Sequence, residues 1–367
     1  MTTTLADLWH RTGRAARDDR KRLLSLYAVL ATVPALLLGS LLARLLTGAP
    51  VAFGAMRRPV AYVTDPLVSA WMHDDDLAVL LWLLVQSLAL AVPWGLLGGA
   101  VARMAAVDLA TGRREPPPQA LAFARRHALG FVGSKAALAA AVLVPLALAS
   151  LVTMLGRWSG PAGTALFTVG VVVAGALVVA AVLAGSVAAA AGFVAGPTIA
   201  CEDSDAFDAV SRVFGYAAAG LPRLLAVRLA FLGGALLGAS WRLLRTGAAL
   251  VLLALALEAG AGRDRADALF AALADLGRGR TAPWGDLVPA LAFAAVGATL
   301  VALWLADFAS RVVCGRVGAY LWLRQAVDRL PTDRLRTAPA GPTFSDAESA
   351  GFVEVSRIGV PTKRPSR

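Results

Sequence analysis

Metal and redox chemistry have little to work with in this chain. Its 367 residues include two cysteines, Cys201 and Cys314, and three histidines, His10, His73 and His127. Two distant cysteines exclude a disulfide framework and a zinc ribbon. Both fall near the cytoplasmic ends of expected membrane spans, where thiols stay reduced and act as packing residues. The histidines lie in three separate segments, so no pair is set at ligand spacing. No Gly-rich phosphate loop, nucleophile elbow or His-Glu-x-x-His helix occurs. The expectation is a protein that is no enzyme, with no catalytic residue, no metal site and no cofactor.

Charge is scarce as well. Only 16% of residues are charged, 58% are hydrophobic and mean hydropathy is +0.68, whereas a soluble domain carries roughly 25% charged and 45–50% apolar residues. The deficit is concentrated in blocks of at least 18 residues, the length a helix needs to cross a bilayer. Six such blocks run from about 23 to 46, 77 to 100, 135 to 155, 165 to 195, 224 to 257 and 287 to 305, the last continuing as a helix toward 330. The first is too long for the apolar core of a signal peptide and reads as an uncleaved span. The predicted organisation is a basic N-terminal segment (1–22), a six-helix transmembrane domain (23–330) and a disordered tail (331–367). The fold class is an all-α polytopic bundle.

The charges that remain are unevenly placed. The net charge is +11, but the basic residues are scattered over loops rather than gathered on one face, which argues against nucleic-acid binding. With the N-terminus inside, 25 Lys and Arg fall in cytoplasmic segments and 7 outside, while Arg44, Arg242 and Arg245 lie within spans. That asymmetry predicts a bacterial inner-membrane protein with both termini cytoplasmic, held against anionic lipid headgroups. A membrane-protein partner or a homo-oligomer is a further expectation.

Two connections have similar sequences. Gln119 to Arg126 aligns with Asp205 to Arg212 at an offset of 86, matching Ala120 with Ala206 and Arg126 with Arg212. Each has an apolar stripe at helical spacing, which predicts two amphipathic helices in the cytoplasmic interface, about 117–128 and 204–218. Duplication and chance both explain so short a match. Asp203, Ser204 and Asp205 offer acceptors for the free amides at the start of the second helix.

The segment Gly196-Pro197-Thr198-Ile199-Ala200-Cys201-Glu202, followed by Ala206 to Arg212, resembles the connecting segment of a broad set of uncharacterised multi-pass bacterial membrane proteins. The membrane domain attached to some glycerophosphodiester phosphodiesterases is similar. Ala102 to Ala106, Ala120 to Arg126 and Leu323-Arg324 with Val327-Asp328 fit the same set. The resemblance covers about a third of the chain and implies a six-helix membrane domain. It supplies no catalytic residue, because the phosphodiesterase domain has no counterpart here.

Charged residues in or near spans are the candidate sites, since each is costly unless paired or wet. Arg242 and Arg245 are one turn apart in the fifth block, and Asp307 and Arg311 form an i, i+4 pair in the sixth. Arg103, Glu202 and Arg212 surround the cytoplasmic connections. One reading makes Arg242, Arg245, Arg103, Glu202 and Arg212 contacts for an anionic ligand. The other has Arg242 and Arg245 snorkelling to the outer interface. His73 beside Asp74, Asp75 and Asp76 suits either a divalent cation or a solvated loop tip, and His127 suits headgroup contact.

The fifth block exceeds one span. It is either a long tilted helix or one broken near Gly238 or Gly247. The favoured function is a non-enzymatic scaffold or accessory subunit. The alternative is a transporter or lipid-handling protein with a polar cavity for an anionic ligand, which a broken helix beside a cavity would favour.

Overall fold

The computed structural model describes residues 4–47, 76–154, 161–277, 284–332 and 335, and every regular element among them is helical. The apolar runs become helices because a bilayer offers backbone amides no other partner. Six helices are long and apolar enough to cross a membrane: Asp19–Leu46, Trp82–Thr111, Ala128–Met154, Leu166–Glu202, Ala206–Gly260 and Gly285–Val327. The protein is an all-α, multi-pass membrane protein. Leu38, Val172, Leu237 and Leu252 lie on its periphery at 65% exposure or more, as lipid-facing side chains must.

The chain opens with α1 (Leu5–Ala15), which Thr4 caps by accepting from the Asp7 amide at 3.1 Å. Leu8, Thr12 and Ala15 form its buried stripe, and Arg14 occupies the last turn. The first two spans, α2 (Asp19–Thr47) and α3 (Asp76–Thr111), pack closely. At Gly39 a Cβ would sit 2.7 Å from Gln86 Oε1, so only glycine lets the helices approach this far. Gln86 Nε2 donates to Ser40 Oγ at 2.5 Å, and Trp94 Nε1 donates to Thr32 Oγ1 at 3.2 Å. Such interhelical bonds contribute about 0.6–2 kcal/mol each in a bilayer.

A short loop leads to α4 (Pro117–Arg126), whose Ala120, Phe123 and Ala124 are buried. Next come α5 (Ala128–Met154) and α6 (Pro161–Ala191), packed against each other. The fourth block does not end where its apolar run ends. After α6 a 3-10 turn over Gly192–Val194 interrupts the helix, and α7 (Ala195–Glu202) resumes it. Asp203 follows in the left-handed conformation with φ 55°, which short polar side chains tolerate.

Helix α8 (Ala206–Ala261) decides between the two readings of the fifth block in favour of one long helix. It is unbroken at Gly238 and Gly247 and departs from helical geometry at Gly220 instead. Pro222 supplies the cause, since it has no amide to donate and crowds the preceding turn. The expected short helix is therefore the first arm of α8, and the long span is its second arm. Asp205 accepts from the Asp208 amide at 2.8 Å as the cap. A further helix, α9 (Arg263–Gly277), stands where the sequence suggested only a loop. The last, α10 (Trp284–Val327), continues the sixth span as expected.

The two similar connections share a layout of loop, short helix and long helix. Their buried stripes differ in phase: Ala120, Phe123 and Ala124 in one, Ala209, Val213 and Tyr216 in the other. The His73 to Asp75 loop and residues 336–367 lie outside the described residues. The main core lies where α1, α3, α4, α7, α8 and α10 converge, and it is built around Met104, Ile199, Tyr320 and Leu321.

Candidate anion-binding site

Three charged clusters organise the bundle. The first centres on Asp307, only 1% exposed on α10. Its carboxylate meets Arg311 Nε at 2.7 Å, Arg22 Nε at 2.9 Å and Arg242 Nε at 3.0 Å. The expected Asp307–Arg311 pair is present, but two arginines from other helices join it. Arg242 is thus drawn inward to the level of Arg22, at the start of α2, rather than reaching away from the bundle. Arg245, one turn on, is exposed. Gly238 makes room for the cluster, since a Cβ there would collide with the Arg311 guanidinium.

The second cluster surrounds Glu202, at the end of α7. Arg212 Nη2 lies 2.6 Å from its Oε2 and Arg324 Nε lies 3.4 Å from its Oε1, to which the Tyr320 hydroxyl also donates. Arg212 continues to Asp328 at 3.2 Å, and Tyr216 donates to Asp328 at 2.6 Å. Arg103 stands next to this cluster, donating to the Ala200 carbonyl at 2.9 Å and lying 4.5 Å over the Phe123 ring. Its Nε is 3.5 Å from Glu115. Burial pushes the Glu115 carboxyl above its ordinary pKa, with Arg103 opposing the shift. His127 faces Asp203 at 2.6 Å and packs on Phe123.

The third cluster ties α1 and α2 to α3. Lys21, 1% exposed, holds Asp108 at 2.6 Å and donates to the Ala15 carbonyl at 3.1 Å. Arg11 donates to the Leu109 carbonyl.

The five sequence-derived candidates therefore fall in two places. Arg242 belongs with Asp307, with Arg245 exposed one turn on, while Arg103, Glu202 and Arg212 gather around the end of α7. Arg242, Arg103, Glu202 and Arg212 already have intramolecular partners.

A different pair of cations has no acidic partner among the described residues. Lys135 on α5 and Arg316 on α10 line a cavity of ≈ 410 Å³ where α2, α3, α5, the Gly192–Val194 turn, α7 and α10 meet. Both side chains are accessible, and neither meets a carboxylate among the described residues. They act electrostatically on each other, and Arg316 also on Arg228. The lining also includes the apolar Val29, Trp94, Leu305 and Phe308, while Ser134 adds a hydroxyl. Gly99 lets Phe131 fill the α3–α5 seam, since a Cβ there would lie 2.8 Å from its ring.

The helix interruption forms part of the same wall, through Gly192, Phe193 and Gly196. Like charges held together with no acid beside them among the described residues repel. An anion would relieve that repulsion. No sequence signal marked this pair, because 181 positions separate Lys135 from Arg316.

No family model, curated protein or solved structure matches the chain.

Proposed function

We propose that this protein handles an anionic, lipid-like ligand in its central cavity, as a transporter or lipid-handling protein of the bacterial cytoplasmic membrane with both termini inside. The observation that carries the reading is the Lys135–Arg316 pair: two cations in one cavity whose other lining is largely apolar, with no acid among the described residues that line it. The cations suit a phosphate or carboxylate group, and the wall suits an acyl chain. The interrupted helix beside the cavity supports the same reading, because the backbone of transporters is often broken where it borders a ligand site. The 25-to-7 bias of basic residues supports the orientation. On this view α4 and the first arm of α8 rest in the cytoplasmic interface among anionic headgroups, and no reaction is catalysed. Asp307 and Glu202, whose cationic neighbours come from several helices, hold the bundle together.

Native mass spectrometry of protein extracted gently from its own membrane tests the proposal. An anionic lipid retained by the wild type and lost from Lys135→Ala/Arg316→Ala supports it. A stoichiometric second polypeptide, with the double variant retaining every bound lipid, would favour a scaffold or accessory subunit instead.

A further inference from the structure

The central cavity is one of three that adjoin. Phe193, Val312 and Arg316 border both it and a narrow cavity of ≈ 60 Å³. Phe231 and Gly315 in turn border both the narrow cavity and a third, of ≈ 450 Å³, between α1, α8 and α10. Cations recur along this series. Lys135 and Arg316 line the first cavity, Arg316 and Arg228 the second, and Arg311, Arg14 and Arg17 the third. No carboxylate lines any of the three among the described residues.

Aromatic rings stand at both junctions. Phe193 lies on the 3-10 turn with the Arg228 guanidinium 5.9 Å from its ring centre. Phe231 packs on Trp9 of α1 with centroids 5.5 Å apart. Arg311 is already paired with Asp307, so Lys135, Arg316, Arg228, Arg14 and Arg17 are the cations the series offers to an anion. A step from one cation to the next lets an anion move without ever losing its countercharge.

We propose that the three cavities form one anion route from the bundle interior to the flank beneath α1, narrowed at Phe193 and Arg228. This rests on the central cavity being an anion site and adds how the ligand leaves it. The transported group is a phosphate-type anion, either the headgroup of a lipid or a free ion. Phe193 closes the narrow cavity, and because it sits on an interrupted helix it can swing with little loss of backbone bonding. Arg228 supplies the charge that draws the anion through.

Proteoliposomes provide the test, in two arms. One follows NBD-phosphatidylglycerol scrambling by dithionite quenching, and the other follows uptake of radiolabelled inorganic phosphate. The wild type should move one of the two probes, and the active arm identifies the source of the anion. Arg228→Gln should lower that rate at least tenfold while native mass spectrometry shows unchanged retention of phosphatidylglycerol at the Lys135–Arg316 cavity. Phe193→Ala should raise the rate several-fold.

Movement of neither probe by the wild type overturns the route. So does an unchanged rate in both variants, each verified as folded by size-exclusion chromatography. If Lys135→Ala/Arg316→Ala retains phosphatidylglycerol as the wild type does, the cavity itself is not the site. That result is distinct from a blocked route with binding intact.

Discussion

At the scale of single residues, buried carboxylates are the points of greatest sensitivity. Glu202 is 6% exposed and faces Arg212 and Arg324. Removing one partner of a buried pair leaves the other charge without compensation, at a cost of about 3–5 kcal/mol. Glu202→Gln should therefore lower thermal stability sharply, and Asp307→Asn likewise, in detergent melts followed by size exclusion. Arg245→Ala, on an exposed residue, should leave the melt unchanged.

Glu115 behaves oppositely. Burial raises its folded pKa above the unfolded value, so its contribution is fully present below the unfolded pKa and fades as pH rises through the folded one. Glu115→Gln should flatten that part of the stability–pH profile and be neutral or mildly stabilising at pH 7. Melts between pH 4 and about 8 would show a profile parallel to wild type if burial did not control the carboxyl. Local signals of this kind are readable in sequence: Asp205 as a cap and Asp307 with Arg311 as a helical pair needed only spacing. What spacing could not convey was that Arg22 and Arg242 join the same carboxylate, because that depends on how three helices cross.

At the scale of elements, close approach depends on small residues. A Cβ at Gly234 would run into the Trp9 ring, which fixes α1 against α8. Gly234→Leu should expel Trp9 and cost about 1–3 kcal/mol of overpacking, or else free α1. Limited proteolysis reads this directly, with faster cleavage before Asp19 expected in the variant. Helix lengths were legible because a bilayer imposes them on apolar runs. The interruption at Gly192–Val194 was not, since the surrounding sequence is as apolar as any span and the nearest proline is Pro197. In α8 the bend falls at Gly220, where Pro222 supplies the physical cause. Gly238 and Gly247 remain helical, and at Gly238 the missing side chain makes room for Arg311.

At the scale of the whole molecule, an even number of spans returns the chain to the side from which it started. Fusions of green fluorescent protein and alkaline phosphatase at each end should give fluorescence without phosphatase activity at both termini. Phosphatase activity at either end would refute the assigned orientation. The overall architecture was legible from composition, because one solvent dictates both helix type and helix length. The cavity was not: its walls come from six elements, and its two cations gain meaning only because no acid joins them among the described residues.

Cys201 and Cys314 are both fully enclosed, at 0% exposure. The folded protein therefore offers maleimide reagents no native target, so a single cysteine introduced at the periphery would be the only one labelled. Distances between spin labels or fluorophores could then be followed in the otherwise unaltered chain, with a signal from either native thiol reporting local unfolding.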